Sequence, residues 1–405
     1  MDLLDVKTIN EAINLQVKVM EEIPLKKKIL LETKNSLGYI LASDLVSRDD
    51  LPSFRKSTMD GYAIKYKDSQ GASDTIPTIL RIVEEIEMGS EPKCRIENGE
   101  ASKIYTGGML PEGADSVIPI EFTEKFSNDL ISINKPIVFM DNVIDIGEDS
   151  SKGDLYQRSG KIIDPKTIAM AASLGYDKIE VYDKINCKII STGDEILPVS
   201  SELYPAKTRD INSYMLYSLL NSMGINVVSM KHLKDDKEII RKELLEDIDL
   251  IIVSGSSSKG KKDFIPFIAK DLEPGLIYHG ISIKPGKPTS LSLNNKTIIL
   301  GLPGNPISAY TVFKCVFQKA YNRYYNIEDS LKIKCRLVRN IHAKSAKTLI
   351  QLVDIERRED ELIAIPIFGF SNNISLLKKV RGYILIDEYS EGLRENEYVW
   401  VSLIK

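Results

Sequence analysis

Residues 281–320 combine two loops whose residue types suit anion binding. An apolar run at 296–300 (KTIIL) precedes the glycine-rich segment 301–306 (GLPGNP), and apolar groups at helical spacing follow. This pattern predicts a buried strand, a loop and a helix with Asn305 as its cap and Pro306 at its first position. Unpaired N–H groups at a helix start favour negative charge. Lys284 and Lys287 add two cations just upstream, so amide dipoles and ammonium groups together predict an anion site.

The alternative is a turn whose glycines only permit close packing, with surface lysines nearby. The segment matches neither the GxxxxGK[ST] nor the GxGxxG pattern. Sites for nucleoside triphosphates and dinucleotides are therefore not supported.

Three predicted strands end in loops rich in glycine, serine and charged residues. They lie at 187–191 (CKIIS), 249–253 (DLIIV) and 296–300, with predicted helices at 212–223 and 236–246. This alternation indicates a doubly wound α/β domain, in which ligands bind outside the carboxyl ends of the strands. That edge would collect Asp194, Glu195, Ser254, Asp263, Lys284, Lys287 and the GLPGNP amides. Carboxylates beside cations and amides suggest Mg²⁺ bridging an anionic ligand, and the alternative is three unrelated solvated turns.

The rest of the chain predicts three further domains. Thr8 and Glu11 form a possible capping box before a helix. Short alternating runs predict an inserted β-rich domain, and strand-length runs near the carboxyl terminus predict a small barrel or sandwich. From the residues alone, the loops at 51–61, 106–115 and 368–373 are typical of plain turns. The predicted domains are 1–45 with 145–182 (discontinuous), 46–144 (inserted, β-rich), 183–325 (α/β) and 326–405 (C-terminal β-barrel).

Composition excludes several classes of protein. The 405 residues are 43% hydrophobic and 28% charged with a net charge of −4, so no basic field indicates nucleic acid. The four cysteines are far apart and only three histidines occur, which argues against zinc or a disulfide framework and favours reduced, buried thiols. No apolar run reaches membrane-spanning length and the start is not a signal peptide. We expect a cytoplasmic protein that binds no membrane.

Eight motifs follow one another along nearly the whole chain. They are SRDDLPSFRKSTMDGYAI, YTGGMLPEGADSVIPIE, GED, IISTGDEI, INSYMLYSLLNSMG, DLIIVSGSSSKG, ISIKPGKPT and GLPGNPISAY. One of them would be weak evidence, but the ordered set resembles the molybdopterin molybdenumtransferase family, which includes the E domain of gephyrin.

The resemblance implies an elongated homodimer and the last step of molybdenum cofactor biosynthesis. Adenylated molybdopterin and molybdate would react with Mg²⁺ to give the cofactor and AMP, with tungstate as the alternative substrate of some archaeal members. The family's cleft lies between the α/β domain of one subunit and the inserted β domain of the other. The molybdopterin adenylyltransferase is a further expected partner.

The resemblance also implies roles for individual residues. The implied catalytic residues are Asp60, Thr106, Asp149, Glu195, Asp235 and Asp263, with Asp236 as the rival of Asp235. The implied substrate-binding residues are Asp194, Ser254, Gly255, Lys284, Lys287, Gly301, Pro303, Gly304, Asn305 and Pro306. The implied metal ligands are Asp194, Glu195 and Asp263.

Several positions depart from the family pattern. Ser256 stands where a second glycine is common, and Lys261 and Lys262 stand where acidic or small residues are common. Ile144 and Gly280 replace an arginine and a lysine of bacterial relatives. Two interpretations remain: the oxyanion contacts have moved, or a paralogue has changed its substrate.

Two other functions compete with the transferase. The first is a non-catalytic scaffold that retains the pterin-binding fold. The second is hydrolysis of another pyridine or pterin nucleotide, which the motifs outside the α/β domain argue against. The motifs TGDE, MDGYA and KPGKP favour the transferase.

Overall fold

The computed structural model describes residues 6–255, 264–343 and 346–404. The predicted ligand Asp263 and the departures Ser256, Lys261 and Lys262 lie outside the described residues. The chain divides into two compact units: one comprises residues up to 43, 159–169 and those from 177 onward, and the other comprises 44–158 and 170–176. The finer division into four domains stays a prediction.

The secondary structure of the described residues is numbered in chain order. Helices α1 to α7 are Ile9–Glu22, Pro165–Ser173, Asn212–Ser222, Lys237–Leu244, Phe264–Ala269, Pro306–Val312 and Gln318–Tyr325. A π-helix, Phe313–Phe317, joins α6 to α7. Strands β1 to β29 are Lys28–Glu32, Ile40–Leu41, Leu45–Val46, Lys56–Ser57, Gly61–Ile64, Thr78–Ile86, Glu100–Ile104, Ser116–Pro119, Thr123–Lys125, Leu130–Ile133, Val143–Ile144, Leu155–Gln157, Lys178–Tyr182, Asn186–Thr192, Ile196–Leu197, Thr208–Arg209, Asn226–Leu233, Leu250–Ser254, Pro274–His279, Ile283–Lys284, Ser290–Asn294, Thr297–Leu302, Lys332–Leu337, Ile341–His342, Thr348–Arg358, Glu361–Pro366, Gly382–Ile386, Gly392–Leu393 and Tyr398–Leu403.

The first unit is built around a six-stranded sheet in the order β17-β14-β18-β22-β21-β19. The first four strands pair in parallel, and β21 and β19 continue the sheet antiparallel. The three predicted strands β14, β18 and β22 are confirmed, with ends that differ by one or two residues. Their carboxyl ends therefore share one edge of the sheet.

Both faces of this sheet are covered by helices. Side chains alternate along a strand, so Ile189 and Ile252 enter one core with residues of α1, α3 and α6. Their neighbours Ile190 and Ile251 enter a second core with residues of α4 and α5. Burial on both faces explains why these strands are mostly apolar rather than alternating, and it is the doubly wound arrangement.

Local signals set the starts of two helices. The capping box before α1 is confirmed, because Thr8 Oγ1 accepts from the Glu11 N–H and the Glu11 carboxylate accepts from the Thr8 N–H. Before α4, Asp236 Oδ1 accepts from two main-chain N–H groups of the first turn. Each cap satisfies donors that a helix start leaves without intrahelical partners.

A closed five-stranded barrel forms the carboxyl-terminal part of the chain. Its strands run in the order β25-β26-β23-β29-β27, and β27 pairs with β25 to close the ring. Its interior is apolar and includes Cys335, Val353 and Val401. Closure removes exposed sheet edges, and it resolves the choice between barrel and sandwich.

The second unit contains a six-stranded sheet in the order β8-β5-β7-β6-β10-β9. In the first unit, β13 pairs antiparallel with β1 and β2. The chain therefore returns after residue 177 to the strands that it left before residue 44, as an insertion requires.

The cysteines are unbonded in the structure. Cys187, Cys315 and Cys335 are buried, and burial raises the pKa of the Cys315 thiol to about 12. Cys94 is exposed, so the prediction of buried thiols is wrong at that position. Among the described residues, no helix has both the length and the apolar character to cross a bilayer.

A buried ion pair in β14 predicts an effect on stability. The Lys188 side chain is 1% exposed and pairs with Glu243 and, at 2.7 Å, with Glu246. Lys188→Met would remove the buried cation and leave Glu243 with the partly exposed Lys231, 2.9 Å away. We expect the free energy of unfolding to fall by about 2 kcal/mol. Lys28→Met is the control, because the Lys28–Glu180 pair is about half exposed and should contribute less than about 1 kcal/mol. Equal losses in chemical denaturation would contradict this prediction.

Candidate active site

A cavity of about 420 Å³ lies at the carboxyl ends of β14, β18 and β22. Its wall includes Thr192 and Glu195 after β14, Ser254 and Gly255 at the end of β18, and Pro303 and Gly304 after β22. The three loops that the sequence predicts on one edge therefore share one cavity, as ligand sites of open α/β sheets do.

The amide of Asn212 joins two of these loops. Its Nδ2 donates to Ser254 Oγ at 2.8 Å and to the Gly304 carbonyl at 2.7 Å. Ser254 Oγ lies 3.4 Å from the Pro303 carbonyl. Asn212 is 8% exposed, so these bonds are shielded from water and hold the loops after β18 and β22 against the start of α3.

The carboxylate of Asp210 is already engaged. Its Oδ2 accepts from Ser191 Oγ at 2.7 Å and its Oδ1 accepts from the Ser213 N–H at 3.0 Å. His232 Nδ1 lies 3.2 Å from Ser191 Oγ. Asp210 therefore fixes the end of β14 against the first turn of α3.

Gly255 is required by a close approach of two main chains. Its φ is +124°, and a Cβ there would lie 2.2 Å from the Thr192 carbonyl oxygen. A side chain at Gly255 would push the β18 loop away from the β14 loop, so the cavity depends on glycine at this position.

The acidic residues after β14 lie beside a second acidic segment. The Asp235 N–H lies 3.4 Å from Asp194 Oδ1, and Lys207 Nζ donates to the Asp194 carbonyl at 2.6 Å. Asp236 caps α4 instead, which favours Asp235 over its rival as the site residue. Glu195 lines the cavity.

The start of α6 differs from the predicted anion site. Asn305 is the cap residue and Pro306 is the first helical residue, as predicted. However, the Asn305 side chain donates to Ser371 Oγ at 3.0 Å and the Ile307 N–H donates to the Ser371 carbonyl at 3.1 Å. Pro306 has no N–H group, so the barrel loop occupies much of this helix start. The predicted continuous helix is interrupted by the π-helix, where the rings of Phe313 and Phe317 pack 5.2 Å apart.

Four predicted substrate-binding residues do not line the cavity: Asp194, which precedes the wall residue Glu195, and Lys284, Lys287 and Gly301. Lys284 and Lys287 are exposed, and only their neighbour Pro288 contributes to the wall. Gly301 is buried inside β22, where a Cβ would lie 2.4 Å from Ser290 Oγ. Its position indicates packing within the sheet.

Sequence reasoning missed many residues of the wall, Asp210 and Asn212 among them, and two further examples are Asn372 and Arg209. Asn372 belongs to the barrel loop 368–373, which the sequence marks as a plain turn, and Arg209 follows an irregular polar segment. The adjacent asparagines of the loop were the available signal for the first. Arg209 lies three residues before Asn212, in a stretch without hydrophobic periodicity.

Asp60, Thr106 and Asp149 belong to the second unit. Asp60 Oδ1 accepts from the Thr106 N–H and from Thr106 Oγ1, both at 2.8 Å. These two donors hold the pKa of the Asp60 carboxyl below its ordinary value. Asp149 is exposed, and its main-chain N–H donates to the Leu51 carbonyl at 3.0 Å.

The described acidic residues fit Mg²⁺ only together with a ligand. In that part of the chain, no group of three or more acidic, histidine or cysteine side chains is arranged to hold a metal. Mg²⁺ commonly takes one or two protein carboxylates and completes its shell with water and substrate phosphates. Glu195 on the cavity wall and the neighbouring Asp194 match that set of donors.

Comparison with known proteins places the chain in a family. Residues 7–175 match the MoeA N-terminal region (domain I and II), and residues 188–323 match the "Probable molybdopterin binding domain". A molybdopterin biosynthesis protein of Methanocaldococcus jannaschii is 35% identical over 401 residues, which cover 96% of this chain and 95% of that relative. The chain belongs to the MoeA family. A molybdopterin molybdenumtransferase of Staphylococcus epidermidis is 34% identical and aligns with 78% of this MoeA-family chain and 75% of its own length.

Solved structures agree with this assignment. A crystal structure of the molybdopterin biosynthesis MoeA protein of Pyrococcus horikoshii has a TM-score of 0.83 at 31% identity and covers 99% of each chain. A second structure of MoeA from the same organism has a TM-score of 0.82 at 28% identity, covering 98% of this chain and 100% of its own. The family resemblance read from the motifs is therefore confirmed.

Gly301 provides a test of packing. Gly301→Ala would place a methyl group against Ser290 Oγ, and we expect the free energy of unfolding to fall by about 1–3 kcal/mol. Ser290→Ala removes the oxygen that the methyl group would meet, so the double variant should recover most of the loss. Chemical denaturation of the single and double variants checks this prediction, and a double variant no more stable than Gly301→Ala would contradict it.

The Asp60–Thr106 contact predicts a change in titration. Thr106→Val removes the hydroxyl donor and retains the main-chain donor, so the Asp60 pKa should rise part of the way toward its ordinary value. The Asp60 carboxyl resonance, followed by NMR against pH, measures this shift. Thr106→Ser keeps the hydroxyl and should titrate like the wild type, and a Valine variant that does the same would show that the hydroxyl bond has no effect.

Proposed function

We propose that this protein transfers molybdate or tungstate to adenylated molybdopterin with release of AMP. The observation that supports this most is the cavity at the sheet edge, which is lined by residues of the IISTGDEI and GLPGNP motifs and by Ser254 and Gly255. Molybdopterin molybdenumtransferases of Staphylococcus epidermidis and Staphylococcus aureus share 34% and 32% identity with the chain. Family, ordered motifs and cavity all agree with a transferase.

The reaction needs charge neutralisation and orientation. Adenylated molybdopterin contains a phosphoanhydride. Water forms a bond to one phosphorus and loses a proton while the bond from that phosphorus to the bridging oxygen breaks. The other phosphate leaves with the electron pair, so that AMP and the phosphate ester of the pterin are the two fragments. Because the phosphates repel the nucleophile, a site accelerates this step by fixing both reactants and by opposing negative charge.

The chain's own residues would divide this work. Glu195 and Asp194 would hold Mg²⁺ against the phosphates, and the metal ion would supply charge neutralisation when it is bound. Asn212 and Asp210 keep the loops that shape the cavity in place through the bonds described above. Asp235 and Asp263 are the further acidic residues of this proposal.

The proposal includes a homodimer that acts in the cytoplasm. Asp60, Thr106 and Asp149 of one subunit would complete the cavity of the other, as the family resemblance implies. Thr106 keeps Asp60 ionised through two hydrogen bonds, which suits a group that orients a proton donor or a cation. The molybdopterin adenylyltransferase would supply the substrate.

Turnover tests this proposal. Purified protein with adenylated molybdopterin, Mg²⁺ and either molybdate or tungstate should release AMP and yield a metal-containing pterin. Glu195→Gln and Asp60→Ala should each lower the rate by about 100-fold, because each removes a charge at the reacting groups, with unchanged circular dichroism. Ligand binding without turnover in the wild type would support the scaffold instead, and wild-type rates in both variants would remove these site assignments.

Mixing the two inactive variants tests the shared site. A heterodimer of Asp60→Ala and Glu195→Gln subunits contains one intact site if each site combines Asp60 of one subunit with Glu195 of the other. Random exchange in a symmetric dimer should then restore about a quarter of the wild-type rate. No recovery after exchange would place both residues in the same subunit's site.

A further inference from the structure

The described wall of the cavity has an unusual balance of charge. Its charged members are Glu195, Asp210 and Arg209. Asp210 is committed to Ser191 and Ser213. Arg209 is therefore the one cation on the described part of the wall, in a cavity proposed to receive a polyphosphate.

The other described sources of positive charge are poorly placed. Lys284 and Lys287 are exposed and do not line the cavity. At the start of α6, Pro306 has no N–H and the Ile307 N–H donates to Ser371, so neither is available to an anion.

The backbone places Arg209 next to the acidic turn. Arg209 ends β16, which pairs in parallel with β15, and β15 begins directly after Glu195. Residues 198–207, here called the strap, connect the two strands. Lys207 Nζ donates to the Asp194 carbonyl at 2.6 Å, so the end of the strap is tied to the same turn.

The strap orients the guanidinium group. Arg209 Nε and Nη2 both donate to the Ser201 carbonyl, at 3.3 and 3.1 Å. These bonds engage one edge of the planar group and leave three of its five N–H donors. A guanidinium group that is hydrogen-bonded along one edge can donate to phosphate oxygens from its other edge. Because its position is already fixed, it loses little conformational freedom on binding.

We propose that Arg209 binds a phosphate of the adenylated substrate and is the specificity-determining cation of this cavity. The inference rests on the proposed function. The strap acts as the positioning element, because Ser201 fixes the Arg209 fork before the ligand arrives. This assignment places a phosphate contact in a segment that carries no phosphate-binding motif.

Calorimetric titration with AMP and with adenosine tests the proposal. The two probes differ by one phosphate. We expect Arg209→Met to weaken AMP binding by about 10- to 100-fold, with adenosine binding unchanged. Arg209→Lys should recover only part of the AMP affinity, because an ammonium group cannot replace the two-donor fork. AMP binding by the wild type should also weaken with added salt more steeply than binding by Arg209→Met.

Arg357→Met is the matched control. Arg357 is exposed on the β25–β26 hairpin, and its Nε also donates to a main-chain carbonyl, that of Glu359. Its replacement removes one positive charge outside the cavity and should leave AMP affinity at the wild-type value. Circular dichroism and thermal unfolding establish that all variants are folded.

The outcomes separate this inference from the function on which it rests. If the wild type turns over and binds AMP, and Arg209→Met binds AMP with the same affinity, the role of Arg209 is overturned and the transferase proposal stands. A wild-type protein that neither binds AMP nor turns over would overturn the proposed function. Equal losses of AMP and adenosine affinity in Arg209→Met would show a structural effect and also overturn the phosphate contact.

Discussion

The cavity depends on one buried amide. Asn212 Nδ2 bonds to Ser254 at the end of β18 and to the Gly304 carbonyl in the loop after β22. Irregular loops have no ladder of hydrogen bonds to fix them, so their shape follows from side-chain contacts of this kind. Loss of the amide would leave a buried hydroxyl and a buried carbonyl without this donor, and an unmet buried group is costly. The wall of the cavity and the stability of the sheet edge therefore depend on the same bonds.

The barrel takes part in this arrangement. Ser371 accepts the Ile307 N–H and bonds the Asn305 side chain, and Asn372 lies on the cavity wall. A helix start that would otherwise attract an anion is thus used to join the α/β domain to the barrel. The Ile307 N–H cannot serve both purposes, which favours a source of positive charge elsewhere on the cavity wall. Arg209, held by Ser201, is in position to supply it.

The sequence predicted those features that short-range patterns determine. Runs such as CKIIS and DLIIV are apolar because both faces of the sheet are covered, and their order along the chain determines the shared edge. Helix-start signals such as Thr8 with Glu11, and Asn305 with Pro306, act within one helical turn. They can be recognised in the sequence for that reason. The sequence does not distinguish a barrel from a sandwich. The difference lies in the pairing of β27 with β25, and no local pattern specifies which strands pair.

What the sequence could not predict is which side chains enter the cavity. Lys284 and Lys287 belong to a proline-rich turn upstream of the GLPGNP loop. Only Pro288 of that turn lines the cavity. Arg209 comes shortly after the irregular segment 198–207, and its place depends on a parallel pairing of two-residue strands. Charge near a motif in sequence is therefore a weak guide to charge in a cavity, because the direction of a turn is set by contacts with distant elements. The family motifs correctly identify the loops that form the cavity. The charge of the cavity wall, however, also depends on residues outside these motifs, such as Arg209.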